Sequence, residues 1–253
     1  MYDPSESRAD GFGRAIGRAN ILADSDIRAL VVVAHPDDEV LWAGGTMLMF
    51  PEWSWKVISL CRGDDWERRA RFFSVMTFLG ADGSLASLDD GPDQHPLEQR
   101  HVENTILSEL QSREFDLVIT HSLFGEYTRH LRHEETGRAI LSLWQKDALI
   151  TRELWMFAYS DRQRTRYPRA IEGAHLDIAL PTDIWQKKRE IICGIYGFSR
   201  NSWEAMTTPV REAFWRFKTT GEALMWRQQQ EARPTEDATR PPIGEQNEST
   251  RLI

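Results

Sequence analysis

The run Ala29-Leu30-Val31-Val32-Val33-Ala34 is apolar at every position and rich in β-branched residues. A strand with one wet face alternates polar and apolar side chains. One that does not alternate is buried on both faces, as inside a parallel sheet covered by helices. This run ends abruptly in His35-Pro36-Asp37-Asp38-Glu39, with Gly44-Gly45 shortly after. In open α/β sheets, ligands bind beyond the carboxyl ends of the strands. An imidazole and two carboxylates at that point therefore read as the start of a site.

The rest of the chain supports the same architecture. Residues 55–60 (WKVISL) and 115–120 (FDLVIT) are further strand candidates, and 154–158 and 176–180 are weaker ones. Helical spacing is found over 45–50, 65–79, 97–111 and 134–144, and again from Pro181-Thr182-Asp183. Strands alternating with helices predict an α/β layered fold with a mostly parallel central sheet flanked by helices. Residues 196–215 are rich in aromatics without clear period, and serve either as a lid over the site or as a cap on the sheet edge. Residues 1–25 read as an N-terminal arm and 26–227 as one α/β domain. Residues 228–253, with almost no apolar side chains and three prolines, read as a disordered tail.

Composition excludes several functions. The net charge of −8 argues against a general nucleic-acid binder, which needs a cationic face. Arg62, Arg68, Arg69 and Arg71 are interleaved with Asp64, Asp65 and Glu67, the pattern of a solvated helix face. Two cysteines without CxxC spacing suit a reducing compartment rather than a disulfide framework. No stretch reaches the ~18 apolar residues of a membrane span, and the N-terminus has no apolar core of a secretory signal. A cytoplasmic protein is expected; its oligomeric state stays open, a homo-oligomer included.

Three strand ends direct chemistry toward one edge: the HPDDE segment, Cys61-Arg62-Gly63-Asp64, and Thr120-His121 leading to His130-Leu131-Arg132-His133. Neighbouring carboxylates diverge, so one of Asp37 and Asp38 can hold a cation while the other serves as a base. His130 and His133, three apart, can share one helix face. Two histidines and one carboxylate leave coordination positions for water and substrate, as catalytic metal sites do.

Ala34-His35-Pro36-Asp37-Asp38-Glu39, the Gly44-Gly45 pair and Gly125-Glu126-Tyr127…His130-Leu131-Arg132-His133 resemble the PIG-L/LmbE-like zinc-dependent de-N-acetylases over about residues 28–143. The resemblance implies a Rossmann-like fold, with His35, Asp38 and His133 as metal ligands. It makes Asp37 the general base acting on a metal-bound water, and a protonated His130 the stabiliser of the oxyanion. Arg62 matches a substrate-contacting arginine, and Asp90, in Asp90-Gly91, a substrate-binding aspartate. Zn2+ is the implied cofactor, and Fe2+ or Mn2+ suits the same donors. Glu39 is read as a partner of a ligand histidine or a helix cap, and His121 as supporting the site. Trp42 is read as core, with stacking on a sugar ring as the alternative.

The family's usual HPDH is His-Leu-Arg-His here. Arg132 and the inserted Thr128-Arg129 add positive charge at the mouth, favouring an anionic substrate, although an ion pair of Arg132 with Glu134 or Glu135 is the better reading. The expected activity is removal of an N-acetyl group from a small amino sugar or glycoconjugate. The alternatives are an amidase acting on a non-sugar amide or thiol conjugate, and a non-catalytic metal- or glycan-binding module.

Overall fold

The apolar run forms β1 (Arg28–Val33), in which every side chain from Ala29 onward is fully buried. At roughly 1.5–3 kcal/mol per buried aliphatic side chain, this strand is the thermodynamic centre of the fold. Alternation still operates, but between two cores. Ala29, Val31 and Val33 pack with Trp42, Phe72 and Ile191, whereas Leu30 and Val32 pack on the opposite face with Ile106, Ile140 and Leu143. The computed structural model describes residues 26–127 and 130–232. The expected arm over residues 1–25 lies outside them, as do Thr128 and Arg129.

The sheet has seven strands. Those in chain order are β1, β2 (Ser54–Cys61), β3 (Asp82–Leu88), β4 (Glu114–Thr120), β5 (Ile150–Phe157), β8 (Leu176–Ala179) and β9 (Arg211–Phe217). Their spatial order is β3-β2-β1-β4-β5-β9-β8. The first five run parallel, and β9 is antiparallel to both β5 and β8. Two short strands, β6 (Tyr159–Ser160) and β7 (Arg169–Ala170), pair separately. The helices are α1 (Asp38–Met49), α2 (Trp66–Leu79), α3 (Gln99–Ser108), α4 (Leu131–Gln145), α5 (Thr182–Glu190), α6 (Trp203–Thr207) and α7 (Thr220–Glu231). A π-helical turn, Ile191–Ile195, extends α5. The Rossmann-like α/β expectation holds. Strand order reverses between β1 and β4, and the crevice beyond such a switch point is where ligands bind in this architecture.

Several elements depart from the sequence reading. Helix α1 begins at Asp38, seven residues before the expected start, because residues 38–47 are all buried and show no amphipathic stripe. Edge strand β3 (DGSLASL) buries only Leu85 and Leu88, too little alternation to be read. Strand β9 takes up the last five residues of the segment read as a lid or edge cap, 211–215, with Ala213 and Phe214 in the core. Residues 228–231, assigned to the tail, complete α7, and residues 233–253 lie outside the described structure. No helix among the described residues is long and apolar enough to cross a membrane.

Gly45 is required by packing. A Cβ there would come within 2.4 Å of Leu180 and 2.9 Å of the Glu212 carboxylate. Glu212 is fully buried and accepts from Gly45 N (2.6 Å), Thr46 N (2.7 Å), Thr46 Oγ1 (2.6 Å) and Lys188 Nζ (2.7 Å). This knot ties α1 to β9 and α5, and so fixes the helix on which Asp38 sits.

Candidate metal centre

The ends of four of the five parallel strands contribute. His35, Asp37 and Asp38 follow β1; Arg62 follows β2; Asp90 follows β3; His121 follows β4; and His130 and His133 open α4. His35 Nδ1 lies 3.1 Å from Asp38 Oδ2. His133 Nε2 lies 3.3 Å from both that oxygen and His35 Nδ1. The edge of a tetrahedron of zinc ligands at 2.0–2.1 Å is about 3.3–3.4 Å, so these three atoms already have the mutual spacing a divalent cation imposes.

The proton inventory agrees. Glu126 Oε2 lies 2.6 Å from His133 Nδ1 and 2.9 Å from His121 Nδ1, while Oε1 accepts from Ser122 N. Burial opposes a charge on Glu126, but the two imidazoles hold it at about 2. An ionised carboxylate only accepts, so both histidines donate to Glu126 from Nδ1, and Nε2 of His133 is the ring nitrogen that faces His35 and Asp38. A carboxylate behind a ligand histidine is the usual way to fix its tautomer and raise its basicity. Sequence reasoning assigned Glu126 no role; an acid in a loop after a strand carries no spacing signal.

His121, Asp38 and His133 are also close enough to hold a cation, but His121 Nε2 already accepts from Ala34 N at 3.0 Å. Burial disfavours charge on His121 while Glu126 and Asp38 favour it, for a net rise to about 9. With the Ala34 N–H aimed at it, Nε2 is already engaged, and His121 supports the site by packing on His133, centroids 3.9 Å apart. His35, Asp38 and His133, the ligand set the resemblance implied, stand at 3.1–3.3 Å from one another; His35, His130 and His133, and His35, Cys61 and Asp90, are also close enough to share a cation.

Asp37 and Asp38 do diverge. Burial opposes the charge on Asp38, but His133, His121 and His35 hold it well below the usual carboxylate range. Trp42 Nε1 donates to its other oxygen at 3.1 Å. Trp42 is wholly buried, so it orients a ligand and cannot stack on a sugar. Asp37 Oδ2 instead faces Arg68 at 3.6 Å. Burial, then the charge of Asp38, push Asp37 well above the usual range against the pull of Arg68. Neighbouring carboxyls driven in opposite directions are the mark of an acid–base assignment.

Asp37 also has φ 125°, outside the regions open to a residue with a Cβ. Its N–H donates to Glu39 Oε2 at 3.0 Å, and the Tyr196 hydroxyl donates to the other oxygen of Glu39. Glu39 thus braces the strained turn rather than a ligand histidine.

The remaining residues surround a cavity of about 810 Å³ lined by His35, Asp37, Asp38, Arg62, Asp90 and His130, among others. Asp90 Oδ2 stands 3.1 Å from His35 Nε2, at ion-pair distance but off line for a hydrogen bond. Burial would raise Asp90; His35 beside it brings it to about 2. His130 stacks on His133 with centroids 4.5 Å apart, and its Nδ1 is buried without a hydrogen-bond partner. Burial and then the two neighbouring imidazoles push His130 down to about 3, which favours a neutral ring over the expected imidazolium. Arg62 lines the mouth and is paired with Asp65 at 2.8 Å. Arg132 does not reach the mouth. It is buried, binds Glu135 at 2.5 Å, and clamps the loop bearing Asp90 through the carbonyls of Asp89 and His95.

Glu126→Ala is expected to weaken zinc affinity roughly 10–100-fold while leaving all three donors in place. Chelator competition measures this, and an unchanged affinity would remove Glu126 from the account.

Residues 30–144 match the family described as PIG-L: GlcNAc-PI de-N-acetylase. A curated relative, the uncharacterized protein L374 of Acanthamoeba polyphaga mimivirus, is 23% identical over 147 residues, which is 52% of this chain and 63% of that protein's length. Among solved structures, the N,N'-diacetylchitobiose deacetylase of Pyrococcus horikoshii aligns with a TM-score of 0.60 and 15% identity over 86% of this chain and 94% of its own. A deacetylase of the teicoplanin biosynthetic pathway aligns at 0.53, with 16% identity over 76% and 98%. GalB, the 4-carboxy-2-hydroxymuconate hydratase of Pseudomonas putida KT2440, also aligns at 0.53, with 16% identity over 75% and 96%. At these identities the structural likeness shows a shared fold, one that carries both deacetylation and hydration in its other bearers.

Proposed function

From a domain of the PIG-L family over residues 30–144, we propose that this chain is a metal-dependent de-N-acetylase that hydrolyses the acetamide of an amino sugar or glycoconjugate. The observation that carries the reading is the triangle of His35 Nδ1, Asp38 Oδ2 and His133 Nε2, with sides of 3.1–3.3 Å. It lies beside a carboxyl, Asp37, that is not spent on the same three atoms.

When bound there, a divalent cation polarises an amide carbonyl and makes water more acidic. The chain supplies the rest. Asp37 takes the proton of the attacking water as its oxygen bonds the acetyl carbon, and passes that proton to the nitrogen as the C–N bond breaks. Acetate and a free amine result. A carboxyl raised well above its usual range accepts and returns a proton more evenly near neutral pH than an ordinary aspartate. His130, neutral and unpartnered at Nδ1, donates a ring N–H to the oxygen that gains charge. Asp90 orients His35 from its far nitrogen and accepts from substrate hydroxyls at the mouth. Trp203, 4.9 Å from Tyr127 between centroids and lining the cavity, offers the aromatic face that Trp42 does not.

The test is release of acetate and amine from a panel of N-acetylated sugars by zinc-loaded protein, with His133→Ala as control. Acetate from at least one sugar with wild type and none with the variant is expected. Turnover of a non-sugar amide alone would move the substrate outside sugars, and no acetate from any amide would overturn the reading.

A further inference from the structure

On the footing of this proposed hydrolysis, we propose that the loop joining β6 and β7 forms an anion subsite at the cavity mouth. The substrate is then an N-acetylated compound carrying a phosphate or carboxylate. Four arginines, Arg62, Arg68, Arg164 and Arg166, line this one cavity in a chain whose net charge is −8. Two are engaged: Arg62 with Asp65, and Arg68 with Asp37 and over the Phe198 ring at 4.7 Å. Arg164 and Arg166 have no carboxylate at ion-pair distance among the described residues, and Arg166 Nε is buried with no hydrogen-bond partner. A buried guanidinium N–H without an acceptor is unfavourable until a ligand provides one.

The acids deeper in the cavity are committed elsewhere. Asp38 faces three histidines, Asp90 faces His35 and Gln94, and Asp37 faces Arg68. The rim also carries two acids, Asp161, buried at the start of the β6–β7 loop, and Glu204 in the first turn of α6, but among the described residues neither lies at ion-pair distance from Arg164 or Arg166. The β6–β7 loop is also built to present these two arginines. Arg162, Gln163 and Arg164 have φ of 48°, 59° and 64°, a left-handed run uncommon for residues with a Cβ. Thr165 N and Arg166 N both donate to Asp161 O, fixing the turn. Strain held in place by local bonds is frequent where a loop meets a ligand. Guanidinium forks match phosphate and carboxylate oxygens in pairs, so two adjacent free arginines select for such a group.

The experiment is calorimetric titration of the zinc-loaded protein with N-acetylglucosamine, its 1-phosphate and N-acetylmuramic acid. Wild type is compared with Arg164→Gln/Arg166→Gln and with Arg166→Lys. Wild type should bind at least one of the anionic sugars about 10-fold or more tightly than the neutral sugar, with the gap narrowing as salt rises. The double glutamine variant should lose the gap at an unchanged melting temperature, and the lysine variant should keep part of it. Equal affinities in wild type, or a gap that survives the double substitution, overturns the subsite. Acetate release separates the two ideas: anion-selective binding without acetate sinks the hydrolysis alone, and acetate release without anion selectivity sinks the subsite alone.

Discussion

Asp37→Gly is expected to abolish turnover and at the same time to stabilise the protein. The catalytic half follows from the role of Asp37 as the carboxyl that takes and returns the proton, a contribution of about 10²–10⁴ in rate. The stability half follows from its φ of 125°. A residue with a Cβ in such a region costs about 1–3 kcal/mol, which glycine does not incur. Glycine's greater freedom in the unfolded chain offsets roughly 0.5–1 kcal/mol of that gain. Removing a buried carboxyl whose ionisation burial opposes adds to the gain, and losing the 3.6 Å contact with Arg68 subtracts little. A net stabilisation of about 1 kcal/mol in urea unfolding, with zinc content unchanged, is predicted. Lower stability would make Asp37 a structural residue, and retained acetate release would remove it as the base.

The second large effect lies far from the chemistry. Glu212→Ala leaves Lys188 buried without its partner and strips the acceptor from Gly45 N, Thr46 N and Thr46 Oγ1. Breaking one side of a buried ion pair costs about 3–5 kcal/mol, and the orphaned N–H groups push toward the upper end. Burial already presses the Lys188 ammonium toward neutrality, against the pull of Glu212. The double variant Glu212→Ala/Lys188→Met should therefore be more stable than Glu212→Ala alone, because no unpaired charge remains. Urea unfolding of the three proteins measures this coupling. A single-variant loss below about 1 kcal/mol would show that the pair is not the lock between α1, α5 and β9.

Much of the site was legible because its donors sit in local sequence patterns. A strand without alternation announced a buried parallel strand, and His35, Asp38, His130 and His133 followed from what stands just beyond β1 and β4. What stayed hidden depends on partners distant in sequence. Glu39 braces Asp37 through Tyr196, 157 residues away, and nothing near Glu39 hints at that contact. Glu126 serves two histidines at once, a role no spacing encodes. Strand β9 was missed because Glu212, a charge at a core position, breaks its apolar pattern, and its partner Lys188 lies in another element. Trp42 was correctly read as core, yet its bond to Asp38 gives it a functional duty that burial alone does not reveal. The ion pair of Arg132 with Glu135, read ahead of a positive mouth, is present; Arg164 and Arg166, which line the cavity from a loop without periodicity, were not singled out.

The most direct test of the central claim is acetate release by a single preparation, assayed after chelator stripping and again after zinc is returned. The site predicts no acetate from the stripped protein, and recovery that reaches its plateau at one equivalent of zinc per chain, with His35→Ala, Asp38→Ala and His133→Ala failing to recover. Full acetate release from the stripped protein, or equal recovery in the three ligand variants, would contradict a reaction built on these residues.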